Sequence, residues 1–252
     1  MHKILGLAAV IAMAASGASA LSTNIIVNGS FEDSSPTNPT AGLINGLEFN
    51  QLGGPGPGWD VYDDINGWAS GANDAGIEIQ HNKAVNTIDA NDGTYYIELD
   101  SDDDYADSNL PAGTTNSSAI QSVSLMGDLD YFFTFAYSPR TQDAADSGIK
   151  FDIGTLLTGN ISETLTSNAI SQSLVPDPTD VGTWSIAKLR FNVPTTASYD
   201  VSFLATGNAN ELGGFIDSVH LAPVPLPAGA WLALSGAGLF YSLRKRRNVA
   251  AA

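Results

Sequence analysis

The 252-residue chain contains no cysteine, and its basic residues and histidines are few. Without cysteine there can be no disulfide, no thiolate site and no cysteine-ligated zinc. Ten Lys and Arg residues stand against 27 Asp and Glu residues, which gives a formal net charge of −17. Such a charge repels phosphate backbones and therefore argues against nucleic acid as a partner.

The basic residues are unevenly distributed along the chain. Residues 21–223 hold all 27 acidic residues and only five of the basic residues, so their formal net charge is −22. A body of this charge is expected to be soluble and to attract multivalent cations. The five basic residues are Lys83, Arg140, Lys150, Lys188 and Arg190.

Catalytic motifs are also missing. Besides His2 near the N-terminus, the histidines are His81 and His220, and the sequence has no G-x-S-x-G, H-E-x-x-H or phosphate-binding glycine loop. A glycosidase-type pair among 27 carboxylates is neither indicated nor excluded by the sequence. We therefore expect a non-enzymatic protein and assign no catalytic residue.

The first 20 residues have the organisation of a secretory signal peptide. Lys3 precedes an apolar stretch over residues 4–15, and small residues stand at Ala18 and Ala20. This pattern predicts cleavage after Ala20 and export of the remainder. A membrane-spanning first helix is the alternative, but the apolar run is short and a processing site follows it.

Residues 21–223 are predicted to form one all-β domain. Strand-like segments rich in β-branched and aromatic residues alternate with clusters of Gly, Asn, Asp, Pro and Ser. About nine short strands in one domain favour an antiparallel β-sandwich, with a jelly roll as the expected form. Residues 50–76 and 174–182 are predicted to be long connections. The predicted strands cover residues 24–31, 76–80, 94–100, 119–125, 131–137, 148–154, 184–193, 198–207 and 213–223.

Residues 224–247 combine a proline-containing motif, an apolar segment and a basic end, and residues 248–252 follow as a short tail. A helix over residues 228–243 would span about 24 Å, less than the ~30 Å hydrocarbon layer. The basic end would stay in the cytoplasm, which places the acidic body outside the inner membrane. The segment therefore predicts a temporary membrane anchor, with a permanent single-pass anchor as the alternative. The motif is Val224, Pro225, Leu226, Pro227 and Ala228, and the basic end is Arg244, Lys245, Arg246 and Arg247.

This order of motif, apolar helix and basic end closely resembles the VPLPA variant of the PEP-CTERM sorting signal. The resemblance implies recognition by an exosortase-type membrane protease and sorting to the cell surface or an extracellular matrix, often in connection with exopolysaccharide or biofilm. Within the body, NGSFED at 28–33, WDVYDDINGW at 59–68 and ATGNANELGGFIDSVHL at 205–221 resemble the galactose-binding-like jelly roll. That fold is shared with several carbohydrate-binding modules.

The jelly-roll resemblance also implies a structural calcium ion between the first and last strands. By position, its ligands would be Glu32 and Asp217, with Asn28 and backbone carbonyls as further oxygens. Calcium takes 6–8 oxygen ligands, which suits such a set. Ordinary turn or edge carboxylates are the alternative.

Three aromatic residues and one arginine are the candidate ligand-binding residues. Trp59, Tyr62 and Trp68 could stack on a sugar ring, or they could close one end of the sandwich. For Arg140 the alternatives are an ion pair with a nearby carboxylate and contact with a ligand. The sequence thus predicts a polysaccharide-binding protein, with a purely structural or adhesive matrix component and a two-carboxylate hydrolase as alternatives.

Overall fold

The computed structural model describes residues 23–33, 45–71, 75–84, 88–101, 115–143, 145–160, 171–172 and 181–225. The predicted signal peptide with Ala18 and Ala20, and the tail from Leu226 through Ala228 to Arg244, Lys245, Arg246 and Arg247, lie outside these residues. Within the described ranges, no helix is long and apolar enough to cross a membrane.

Two antiparallel sheets form a β-sandwich of the jelly-roll class, which confirms the predicted fold class. The larger sheet has the strand order β1-β4-β5-β13-β7-β11-β10, and the smaller has the order β2-β3-β6-β12-β8-β9. One short 3-10 helix, Phe49–Gln51, precedes the strands. The strands are β1 (Trp59–Tyr62), β2 (Asp64–Ile65), β3 (Trp68–Ala69), β4 (Ile77–His81), β5 (Tyr95–Glu98), β6 (Ser118–Leu125), β7 (Leu129–Pro139), β8 (Ile149–Ile153), β9 (Leu157–Asn160), β10 (Ser171–Gln172), β11 (Ser185–Val193), β12 (Ala197–Ala205) and β13 (Gly214–Pro223).

The core lies between the two sheets and is built by alternation along each strand. In β12, Val201, Phe203 and Ala205 are buried while Asp200 and Leu204 are exposed, as one buried face of a strand requires. Phe203 packs on aromatic rings of the opposite sheet, at centroid distances of 5.9 Å to Phe133 and 5.1 Å to Phe135. Aromatic rings packed across the sandwich therefore supply much of the apolar burial that stabilises this domain, which has no disulfide.

Two sequence-based predictions of local structure were wrong. Residues 24–31 form turns instead of a strand, because Asn28 and Phe31 have positive φ angles of 51° and 59°, which break an extended path. This segment nevertheless lies beside the last strand, since the Ile25 amide donates to the Leu221 carbonyl at 2.8 Å. The predicted long connection at 50–76 contains β1, β2 and β3.

Candidate functional site

The three candidate aromatic residues do not form one exposed platform, so that interpretation is corrected. Trp68 is 2% exposed, packs on Phe31 and Phe203, and donates its indole N–H to the Asn28 carbonyl at 3.2 Å. Tyr62 is also buried, and its hydroxyl donates to the Leu47 carbonyl at 3.1 Å. Burial raises the pKa of Tyr62. Both side chains are part of the core.

Trp59 faces the other way because of its place in β1. Residues three apart in a strand point to opposite faces. Tyr62 pairs with Ile77 of the core, whereas Trp59 pairs with Gln80 on the outer face of the larger sheet. Trp59 is therefore a half-buried residue on the outer face of the larger sheet.

Trp59 lines a recess on this outer face, together with a second candidate residue, Arg140. The recess has a volume of about 130 Å³, smaller than the ~300–1,000 Å³ of pockets that enclose drug-sized ligands. Among the described residues, the recess is lined by Trp59, Glu78, Arg140, Asn210, Glu211 and Leu212.

A buried polar network, called the floor below, starts from Glu78 in the lining of this recess. Glu78 and Glu98 pair across β4 and β5, and the side-chain amide of Gln80 donates to both carboxylates, at 2.7 Å to Glu78. The Tyr96 hydroxyl donates in turn to the Gln80 side-chain oxygen at 3.3 Å. All four side chains belong to buried residues, so the hydrogen bonds hold them in fixed positions.

Arg140 joins the floor to the wall of the recess. Its Nη1 donates to Glu98 Oε1 at 2.5 Å and to the Glu211 carbonyl at 2.6 Å. Burial and the neighbouring Glu78 raise the pKa of Glu98, against the opposing effect of Arg140. Burial alone would lower the pKa of Arg140, but the Glu98 carboxylate raises it overall. The ion pair that the sequence allowed for Arg140 is therefore present, and the same residue lines the recess.

The wall of the recess is the loop over residues 206–213, which carboxylates on other segments hold in place. Asp100 Oδ2 accepts the amides of Asn210 at 3.1 Å and Leu212 at 3.0 Å. Glu98 Oε1 accepts the Gly213 amide at 2.9 Å. Asp146 Oδ1 accepts the side-chain amide of Asn210 at 2.9 Å. The wall is thus fixed by buried acceptors before any ligand arrives.

A small aromatic cluster continues the same face of the sheet. It consists of Ile88, Tyr96 and Phe215, with Ala90 and Trp184 packed against them. Trp184 meets the Tyr96 ring edge-on at a centroid distance of 5.7 Å and donates to the Asp89 carbonyl at 2.7 Å. Sequence reasoning did not single out Trp184 or the Glu78 and Glu98 pair, because their meeting on one face depends on strand order.

The predicted calcium ligands are only partly brought together. Glu32 Oε1 accepts the amides of Thr94 at 2.7 Å and Tyr95 at 2.8 Å. Asp217 Oδ2 accepts the amide of Asp92 at 2.9 Å, so both carboxylates contact the turn over residues 91–95. Burial raises the pKa of Asp217 to about 7.

The Asn28 side chain forms hydrogen bonds within the protein on both its oxygen and its nitrogen. Its side-chain oxygen accepts the Asp33 amide at 2.9 Å, and its side-chain nitrogen donates to the Asn66 carbonyl at 3.1 Å. Within the described part of the chain, no group of three or more His, Cys, Asp or Glu residues is placed to hold a metal ion.

The Glu78 and Glu98 pair also bears on the hydrolase alternative. Because the two carboxylates share one amide donor, the bonded oxygens lie within two hydrogen-bond lengths, at most about 6 Å. Glu98, however, has a fully buried side chain and accepts hydrogen bonds from Arg140, Gly213 and Gln80. These hydrogen bonds hold the Glu98 carboxylate in a fixed position beside Glu78.

No protein-family model and no curated protein matches the chain. Among solved structures, an arabinose-bound MgGH51 α-L-arabinofuranosidase is similar at 12% identity and a TM-score of 0.44, over 84% of this chain and 28% of that chain. TmCBM61 in complex with β-1,4-galactotriose is similar at 16% identity and a TM-score of 0.38, over 81% of this chain and all of that chain. The CBM22-1 xylan-binding domain of Paenibacillus barcinonensis Xyn10C is similar at 9% identity and a TM-score of 0.36, over 67% of this chain and 94% of that chain. At this identity and TM-score, these likenesses assign no ligand to the recess.

Proposed function

We propose that this chain is an exported, non-enzymatic protein that binds polysaccharide through the recess between Trp59 and Arg140. The observation that carries the proposal is that the half-buried Trp59 lines one recess together with Glu78 and Arg140, whose side chains belong to a hydrogen-bonded polar network. An apolar sugar face stacks on an aromatic ring, while carboxylate and amide groups take its hydroxyls.

Export and sorting complete the proposed function. The signal peptide pattern at residues 1–20 and the tail at 224–247 support secretion, a transient inner-membrane anchor and processing by an exosortase-type membrane protease. The processed body would then act at the cell surface or in an extracellular matrix. With a net charge of −22 in residues 21–223, it would remain soluble there.

A glycan array, followed by calorimetry with the polysaccharide that binds best, tests the binding proposal. Trp59→Ala should weaken binding roughly fivefold, since one stacking contact is worth about 1 kcal/mol. Tyr199→Ala is the control, because Tyr199 is a half-buried aromatic residue on β12 of the other sheet. Equal binding by both variants would place the glycan site outside the recess, and no binding of any glycan by the unmodified chain would leave a structural matrix role in its place.

A further inference from the structure

The sorting segment begins where the last strand of the body ends. β13 ends at Pro223, and the amide of Val224 still donates to the Asp130 carbonyl of β7 at 2.8 Å. Four residues lead from Val224 to Ala228, where the predicted apolar helix starts. Four extended residues span at most about 14 Å. The end of the body must therefore lie within that distance of the predicted membrane helix.

Val224 leaves the sandwich at one end, which we call the tail end. Two turns lie there: residues 126–128 between β6 and β7, and residues 194–196 between β11 and β12. The Gly127 amide donates to the Thr196 hydroxyl at 2.8 Å and joins the two turns. The first turn leads directly into β7, the strand to which Val224 is hydrogen-bonded. The two turns and Val224 thus form one surface.

The recess lies at the opposite end of the same strand. Leu212 of its lining stands two residues before Gly214, where β13 begins. Arg140 directly follows Pro139, the residue of β7 that pairs with Gly214. The 10 residues of β13 rise about 3.3 Å each, so the recess lies roughly 30 Å from Val224 along the strand.

The segment that follows the predicted signal peptide lies beside the last part of β13. Asn24 Oδ1 accepts the Leu221 amide at 2.9 Å, and Asn24 Nδ2 donates to the Val219 carbonyl at 3.1 Å. Leu221 is three residues, or about 10 Å, from Val224. The residues next to the signal peptide and those next to the sorting segment are therefore neighbours near the tail end.

We infer that the anchored chain presents its tail end to the membrane surface and its recess away from the membrane. The inference rests on the anchoring tail of the proposed function. The short connection holds the tail end near the bilayer. Like charge keeps the rest of the body, with a net charge of −22 in residues 21–223, from lying on anionic lipids. The recess would then face the surrounding space, where a polysaccharide can reach it before the tail is processed.

Energy transfer to the membrane surface tests this orientation, and the absence of native cysteine makes labelling specific. The full chain is reconstituted in vesicles of phosphatidylethanolamine and phosphatidylglycerol that carry an acceptor dye on their head groups. Single cysteines carrying a donor dye replace three exposed residues: Met126 at the tail end, Ser122 on β6, and Ala209 in the 206–213 loop. Transfer should decrease in that order, roughly twofold or more overall, because the outermost positions differ by about 30 Å along the strands.

A lengthened connection is the matched control. Insertion of about 30 glycine and serine residues between Val224 and Pro225 adds roughly 30 Å of flexible chain. The insertion should lower the transfer and remove the difference between the three labelled positions. Circular dichroism of each labelled variant checks that the domain is folded.

The outcomes separate this inference from the proposed function. Equal transfer at the three positions with the original connection, or the highest transfer at Ala209→Cys, would overturn the orientation and leave the membrane anchor in place. A chain that fails to float with the vesicles in a density gradient would refute the anchoring tail, and the orientation with it. Glycan binding by the recess is measured in solution and stands or falls independently of both results.

Discussion

Replacement of Arg140 by methionine should destabilise the domain strongly and in a pH-dependent way. Methionine keeps an unbranched apolar stem but removes the guanidinium that contacts Glu98 and the Glu211 carbonyl. The Glu98 side chain is fully buried, while that of Arg140 is 20% exposed. The variant therefore leaves a buried carboxylate without its cation.

Loss of one partner from a buried ion pair costs about 3–5 kcal/mol. For a domain of 150–250 residues, each kcal/mol shifts the melting temperature by roughly 2–4 °C, so the melting temperature should fall by at least about 6 °C. Without Arg140 the folded-state pKa of Glu98 should rise further above its unfolded value. A raised carboxyl pKa means that stability is lost as pH increases, and the loss should therefore be larger at pH 8 than at pH 5.

Thermal unfolding followed by circular dichroism at both pH values measures this effect. Glu98→Gln in the Arg140→Met background should recover part of the loss, because a neutral amide needs no counter-charge and can still accept hydrogen bonds. A loss below 1 kcal/mol that is the same at pH 5 and pH 8 would refute a buried, ionic role for this pair. The role would also be refuted if the loss of stability in the double variant equalled the sum of the losses in the two single variants.

Two further predictions concern the calcium site and the ends of the chain. Calcium at 100 times its dissociation constant should add about 2.7 kcal/mol to the free energy of unfolding, and it should raise the melting temperature more than magnesium does. Glu32→Gln or Asp217→Asn should abolish this response at fixed ionic strength. A full response in both variants would place the ion elsewhere. The intact mass of the protein exported by its native host should correspond to a chain without residues 1–20 and without the segment after about Pro227. Replacement of both Pro225 and Pro227 should leave the tail attached. A mass that includes Arg247 would contradict the predicted processing.

The long strands could be predicted from the sequence, whereas the short ones could not. Alternation in residues 198–207 and the aromatic and β-branched content of 131–137 indicate strands, and β12 and β7 confirm both. Two-residue strands such as β2 and β3 have too few residues for any periodicity, and their Gly-rich surroundings indicate loops. They exist because pairing within the sheet supplies what local propensity does not.

The candidate site shows the same division between local and long-range information. Trp59 and Arg140 could be singled out because large aromatics and rare basic residues are conspicuous in an acidic chain. Trp59 and Arg140 share a recess with Glu78 because residues far apart in the sequence are in contact. One example is the hydrogen bond between Gly213 and Glu98, which are 115 positions apart. Strand order creates this proximity, and a single sequence does not encode strand order in any local pattern.

The anchoring of the 206–213 loop separates the course of its backbone from the identity of its side chains. Asp100 and Glu98 hold the loop through the main-chain amides of Asn210, Leu212 and Gly213, and these amides are present whatever side chains the loop carries. Side chains at positions 211 and 212 can therefore be exchanged while the backbone keeps its course, provided that residue 211 tolerates its positive φ of 64°. Diversified libraries at these two positions should therefore yield folded proteins, and, where the recess binds glycans as proposed, they would also vary the glycan that is bound.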